Sequence, residues 1–114
     1  VYWLSRIIYA ESGNQPLDGK IAVGNVVLNR VASPRFPNSV YEVIFQRNQF
    51  TPAANGSINR TPSAESVVAA KLCLDGANTA GSALYFVNPT VAPGSWASRN
   101  RPYVATIGAH AFYG

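Results

Sequence analysis

Cysteine and histidine are nearly absent. Cys73 stands alone, so no intrachain disulfide can form. With His110 as the sole histidine, a zinc site of the usual Cys/His kind cannot be assembled, and nothing calls for a metal or another cofactor. Charge is scarce too: 12% of the 114 residues are ionic, about half the usual ~25%. Low charge with 47% apolar residues excludes a disordered chain. No apolar run approaches the ~20 residues that span a bilayer, so no membrane span is expected. No heptad or internal repeat is visible, which excludes coiled coils and solenoids. No secretory leader stands at the front, and the first residues already follow a helical pattern. The expectation is a single domain over residues 1–114, catalytic or binding, excised from a longer protein whose export signal, if it has one, lies upstream.

The chain is long enough for one core. Nine Lys and Arg against five Asp and Glu leave a net charge of +4, with an isoelectric point near 9.6. A basic surface favours an anionic partner such as nucleic acid, anionic lipid or a bacterial wall polymer. The basic residues are scattered and form no stripe at helical spacing, which counts against nucleic acid.

The pattern of apolar residues predicts a helix over Val1–Ser12, with Gly13 as a C-cap glycine. A turn at Asn14-Gln15-Pro16 leads to a second helix reaching Ala32, with Asp18 in its first turn. A short third helix is expected over Val40–Gln46, and a long loop over Gln49–Thr61. A fourth helix follows, with Thr61 as N-cap and Pro62 at its first position, ending near Asp75-Gly76. Ala83–Asn88 reads as a strand and Pro89–Asn100 as a loop carrying Trp96. Tyr103–Ile107 and His110–Tyr113 read as a hairpin across Gly108-Ala109. The fold class is therefore α+β, mainly helical, with a small antiparallel sheet in the C-terminal third.

Of the five acids, Asp18 and Glu65 fall in helix first turns, where the dipole stabilises their charge. Glu42 and Asp75 read as surface residues. Glu11 differs. It falls in the last turn of the first helix, near the negative dipole end, with Ile7, Ile8 and Tyr9 around it. Both the dipole and desolvation disfavour its ionised form, so its pKa should rise, as a general acid near neutral pH requires. A partly exposed helix-end glutamate is the competing reading. Cys73 reads as a small buried hydrophobe and His110 as a structural or an active histidine. Exposed aromatics and amides can hold a sugar chain. Gln49, Phe50, Tyr85, Asn88, Trp96 and His110 are the candidates for substrate binding, with Trp96 the best stacking platform.

Three segments carry a resemblance: Ile8-Tyr9-Ala10-Glu11-Ser12-Gly13, Gly19-Lys20-Ile21-Ala22-Val23 and Val27-Leu28-Asn29-Arg30-Val31. It continues through Ser33–Val40, Val43–Gln46 and Gln49-Phe50-Thr51-Pro52, then Tyr85–Pro89, Trp96 and Gly108–Tyr113. In this order they resemble the bacterial spore cortex-lytic cell wall hydrolase family. The resemblance implies a lysozyme-like α+β fold, cleavage of peptidoglycan during germination, and Glu11 as catalytic glutamate. It also implies an exported location in spore cortex, coat or wall, with an accessory germination protein or an upstream wall-binding domain as possible partner. Two departures stand out. Family members often carry an acid where this chain has Asn14-Gln15, and a Cys where it has Tyr113.

Scarcity of acids bears on mechanism. A glycosidase that uses water needs two carboxyl groups flanking the bond. A lytic transglycosylase uses the C6 hydroxyl of the muramic acid instead, so one carboxyl can act first as acid and then as base. The expectation is a lytic transglycosylase cleaving between N-acetylmuramic acid and N-acetylglucosamine. The alternatives are a hydrolytic muramidase or glucosaminidase of the same fold, or a non-catalytic wall-binding module.

Overall fold

The computed structural model describes residues 1–114. Two helices form its spine: α1 (Tyr2–Ser12) and α2 (Leu17–Ala32). A four-residue turn, residues 13–16, joins them. Their apolar stripes meet, burying Leu4, Ile7 and Ile8 of α1 against Ile21, Val23, Val26 and Val27 of α2. Three further helices surround the pair: α3 (Val40–Phe45), α4 (Thr51–Asn55) and α5 (Ala64–Leu74). Val43, Ile44, Ala69, Ala70 and Cys73 complete the helical core. At Gly24 the three long helices come so close that an added Cβ would lie 2.6 Å from Cys73 Sγ and 3.0 Å from Ile8 Cδ1. Only glycine permits that approach.

Polar side chains on α2 then route the chain from α5 to the sheet. Asn25 donates to the Ala77 carbonyl and accepts from the Thr79 amide, both at 2.8 Å, and Asn29 donates to the carbonyls of Gly81 and Ala83. They deliver β1 (Tyr85–Val87) to a three-stranded antiparallel sheet with β2 (Tyr103–Ile107) and β3 (His110–Tyr113), in the order β1-β3-β2. Register pairs Tyr85 with Tyr113 and Ile107 with His110. Gly108 turns the hairpin with φ +57, a left-handed conformation suited to glycine. Phe112, on the central strand, is fully buried against the helices.

The α+β expectation and the hairpin limits hold. Three local expectations do not, and a fourth, the Gly13 cap, holds in position but not in handedness. The stretch 49–61 is not a plain loop: it holds α4 and a 3₁₀ turn at Ser57–Asn59, separated by Gly56 at φ +82. The cap of α5 is Ser63, whose hydroxyl accepts from the Ser66 amide, so the helix starts two residues beyond Pro62. Trp96 opens a short helix, α6 (Trp96–Asn100), capped by Ser95. Gly13 occupies the C-cap of α1 but stays right-handed at φ −57. Its lack of a side chain serves space rather than handedness, since a Cβ there would meet the Tyr9 carbonyl at 2.6 Å.

Candidate active site

Glu11 sits in the last turn of α1, on the flank that carries Ile7 toward the core. An open cleft of about 500 Å³ lies against it, lined by Tyr9, Ala10, Glu11, Gly13, Asn14, Ser57 and Arg60. One wall is the end of α1 and the turn after it. The other is the 3₁₀ turn and the residue that follows it. Arg6 fastens the two walls, its guanidinium donating to the backbone carbonyls of Asn59 and Arg60 at 2.9 and 3.1 Å. Ser12 is buried, with its hydroxyl donating to the Ile8 carbonyl at 2.7 Å, so it supports the helix end rather than the cleft.

Burial holds the Glu11 carboxyl above its ordinary pKa of 4.5. No cation offsets this. Arg60 lines the same cleft but forms no ion pair with it, and the single ion pair of the molecule joins Lys20 to Glu65 at 2.7 Å. That pair has a separate task. The buried Lys20 ammonium also donates to the Gln15 carbonyl, and so fixes the α1–α2 turn against the start of α5. Glu42 caps α3 with Ser39 and borders a different cleft. Glu11 is thus the lone carboxylate of its cleft. No group of three or more His, Cys, Asp or Glu side chains could hold a metal ion.

The other candidate residues fall elsewhere. Phe50 and His110 are core residues and not an exposed sugar platform: 5% and 7% of their surface is accessible, and both pack against Phe86. Burial lowers the His110 pKa, so the imidazole is neutral at pH 7, and its Nδ1 has no hydrogen-bond partner. Gln49 is engaged by Arg30, whose guanidinium donates to its Oε1 at 3.1 Å. Asn88 caps its own turn by accepting from the Thr90 amide at 3.0 Å. Tyr85 and Trp96 do meet, edge to face with ring centroids 5.6 Å apart, and Trp96 is 55% exposed. None of these six lines the Glu11 cleft. Cys73 is buried as expected, its thiol donating to the Ile21 carbonyl and pushed up to a pKa of about 11.

Asn14, Ser57 and Arg60 were not anticipated as cleft residues. Asn14 had a signal, since it lies in the turn directly after the acid. Ser57 and Arg60 had none, because only the packing of the 3₁₀ turn on α1 brings them there.

Known proteins share this fold. The cell wall hydrolase family profile matches residues 14–113, a stretch that starts just after Glu11. The spore cortex-lytic enzyme of Bacillus cereus is 39% identical over 96% of this chain, and that of Bacillus subtilis 38% identical over 96%. This chain spans 42% and 35% of their respective lengths, well under half of each. The catalytic domain of the germination-specific lytic transglycosylase SleB from Bacillus anthracis superposes with a TM-score of 0.91, at 38% identity, covering 99% of this chain and 92% of that one. The SleB catalytic domain from Bacillus cereus gives 0.90 at the same identity, covering 88% of that chain. The α+β fold is therefore that of a lysozyme-like catalytic domain, and the chain belongs to the cell wall hydrolase family.

Proposed function

We propose that this domain cleaves the glycan strand of peptidoglycan as a lytic transglycosylase, with Glu11 as its catalytic acid and base, and that it acts on spore cortex during germination. The observation that carries the reading is the cleft with a single, uncompensated, desolvated carboxyl. The likeness to spore cortex-lytic enzymes and to the SleB catalytic domain supports the substrate and the setting.

The chemistry follows from that geometry. Burial shifts Glu11 toward its protonated form, and that proton can pass to the oxygen of the bond between N-acetylmuramic acid and N-acetylglucosamine. As that bond breaks, the leaving oxygen takes the proton and Glu11 becomes a carboxylate. The C6 hydroxyl of the muramic acid then attacks its own anomeric carbon, and Glu11 takes the hydroxyl proton. The acid is regenerated, a 1,6-anhydro ring has formed, and no water has been consumed. Hydrolysis would need a second carboxyl within ~5 to ~9.5 Å, and the cleft supplies none. The +4 charge suits an anionic polymer. Export to the wall or cortex, and an accessory protein or wall-binding domain as partner, complete the proposal.

Purified wall incubated with the domain tests it. Soluble fragments one water lighter than reducing-end fragments should appear. Reducing ends would turn the reading to hydrolysis. Wall binding without release of fragments would turn it to a binding module.

A further inference from the structure

The Asn14 side of the Glu11 cleft has a fixed polarity, and one backbone amide sets it. A backbone N–H can only donate. The Ala109 N–H, in the β2–β3 turn, donates to Gln15 Oε1 at 2.9 Å. This orients the Gln15 amide: its oxygen faces the hairpin and its Nε2 faces away. Nε2 then donates to Asn14 Oδ1 at 3.1 Å. That bond orients the next amide in turn. With Oδ1 engaged, Asn14 is left with Nδ2 as its free group, and Nδ2 has no partner within the chain. Asn14 stands at the rim of the Glu11 cleft, as do Ser57 and Arg60, whose side chains also make no hydrogen bond. The rim is therefore rich in donors.

We propose that Asn14 is a specificity-determining residue that donates to the carbonyl oxygen of a sugar 2-acetamido group beside the scissile bond, with Gln15 as its positioning residue. This rests on the glycan-cleaving reading above. Sugar hydroxyls both give and accept and so cannot distinguish a donor wall from an acceptor wall. An amide carbonyl accepts only, and it is the strongest neutral acceptor an N-acetylated glycan offers. A donor wall selects it, and a strand without acetyl groups presents an amine donor in its place. The discrimination lies in the direction of the Asn14 amide, which the hairpin turn fixes through Gln15.

The test compares cleavage of N-acetylated wall strands with the same strands after removal of N-acetyl groups, for wild type, Asn14→Ala, Asn14→Asp and Gln15→Glu. One neutral hydrogen bond in this setting corresponds to a preference of about three- to tenfold in kcat/KM. Wild type should show that preference. Asn14→Ala should abolish it by raising KM on acetylated strands. Asn14→Asp keeps an acceptor for Gln15 Nε2 but turns an oxygen to the substrate, so it should lose more. Gln15→Glu keeps the bond from Ala109 yet has no donor for Asn14, so it should weaken the preference without loosening the turn, read as an unchanged Tm. If all three variants keep the wild-type preference while Glu11→Gln is inactive, the assignment of Asn14 is overturned and the glycan-cleaving reading stands. If Glu11→Gln cleaves normally, that reading itself fails.

Discussion

The two ends of the α1–α2 pair make opposite electrostatic choices. At one end Glu11 is a partly buried acid with no cation. At the other, about 20 Å along α2 from its start, Arg30 is a buried cation with no acid. The guanidinium lies 4.8 Å from the Phe36 ring centroid and 5.3 Å from those of Phe50 and Tyr85, and it donates to the Leu84 carbonyl at 2.7 Å and to Gln49. Burial lowers its pKa to about 10, with Tyr85 opposing the shift, so it remains charged at pH 7. Ring faces and carbonyl oxygens replace a counter-ion there. Arg30 thereby fastens α2, β1 and two loops around one group. Glu11 is given no such partners. The difference separates a cation tied into the fold from an acid left without an internal partner.

Four substitutions sharpen or break that contrast. Glu11→Gln should lower release of soluble wall fragments by about 10²- to 10⁴-fold, the usual contribution of a general acid. Its stability should move the other way. A carboxyl with a raised pKa binds more protons folded than unfolded, so its contribution is full below the ordinary 4.5 and is lost as pH rises through the raised value. The glutamine variant should therefore melt above wild type at pH 7, with the gap closing at acid pH. By the same titration, wild-type activity should fall as pH rises past the raised pKa. Removing the other charge should do the reverse. Arg30→Leu leaves the Leu84 carbonyl and Gln49 without their donor and should cost about 2–4 kcal/mol, measured by urea unfolding. The remaining folded enzyme should keep its kcat. If Arg30→Leu instead loses activity at full stability, the contrast between the two ends is wrong. Gly24→Ala should cost about 1–3 kcal/mol by overpacking against Cys73 and Ile8, again with the kcat of the folded fraction intact. Trp96→Ala should change least. Its exposed ring should leave Tm within about 1 °C and raise KM on long strands only a few-fold if the Tyr85–Trp96 pair touches distal sugars, the effect of losing one stacking contact of about 1 kcal/mol.

What could be read in advance follows from how local each cause is. The hairpin strands depend on a two-residue turn with glycine, and their limits were readable. Helix α4 and the 3₁₀ turn are too short to show a period, and their marks, Pro52 and Gly56, look the same as those of a loop. Thr61 and Ser63 are both good caps flanking Pro62, and sequence alone does not decide between them. The helix-end position and raised pKa of Glu11 were legible because helix end and apolar neighbours are both local. The burial of Phe50, and of His110 in the structural rather than the exposed reading, was not legible because an aromatic side chain reads alike in a core and in a groove, and only the packing on Phe86 decides. Ser57 and Arg60 reach the cleft through tertiary packing, which leaves no trace in spacing.

The sealed position of Cys73 also gives the molecule a built-in clock. Its sulfur is shut between α2 and α5, so dyes and oxidants in solution meet no thiolate while the chain stays folded. Each transient opening of the helical core would expose the single thiol. Where alkylation outpaces reclosing, the rate at which the reagent captures it counts those openings, on the unaltered wild-type chain.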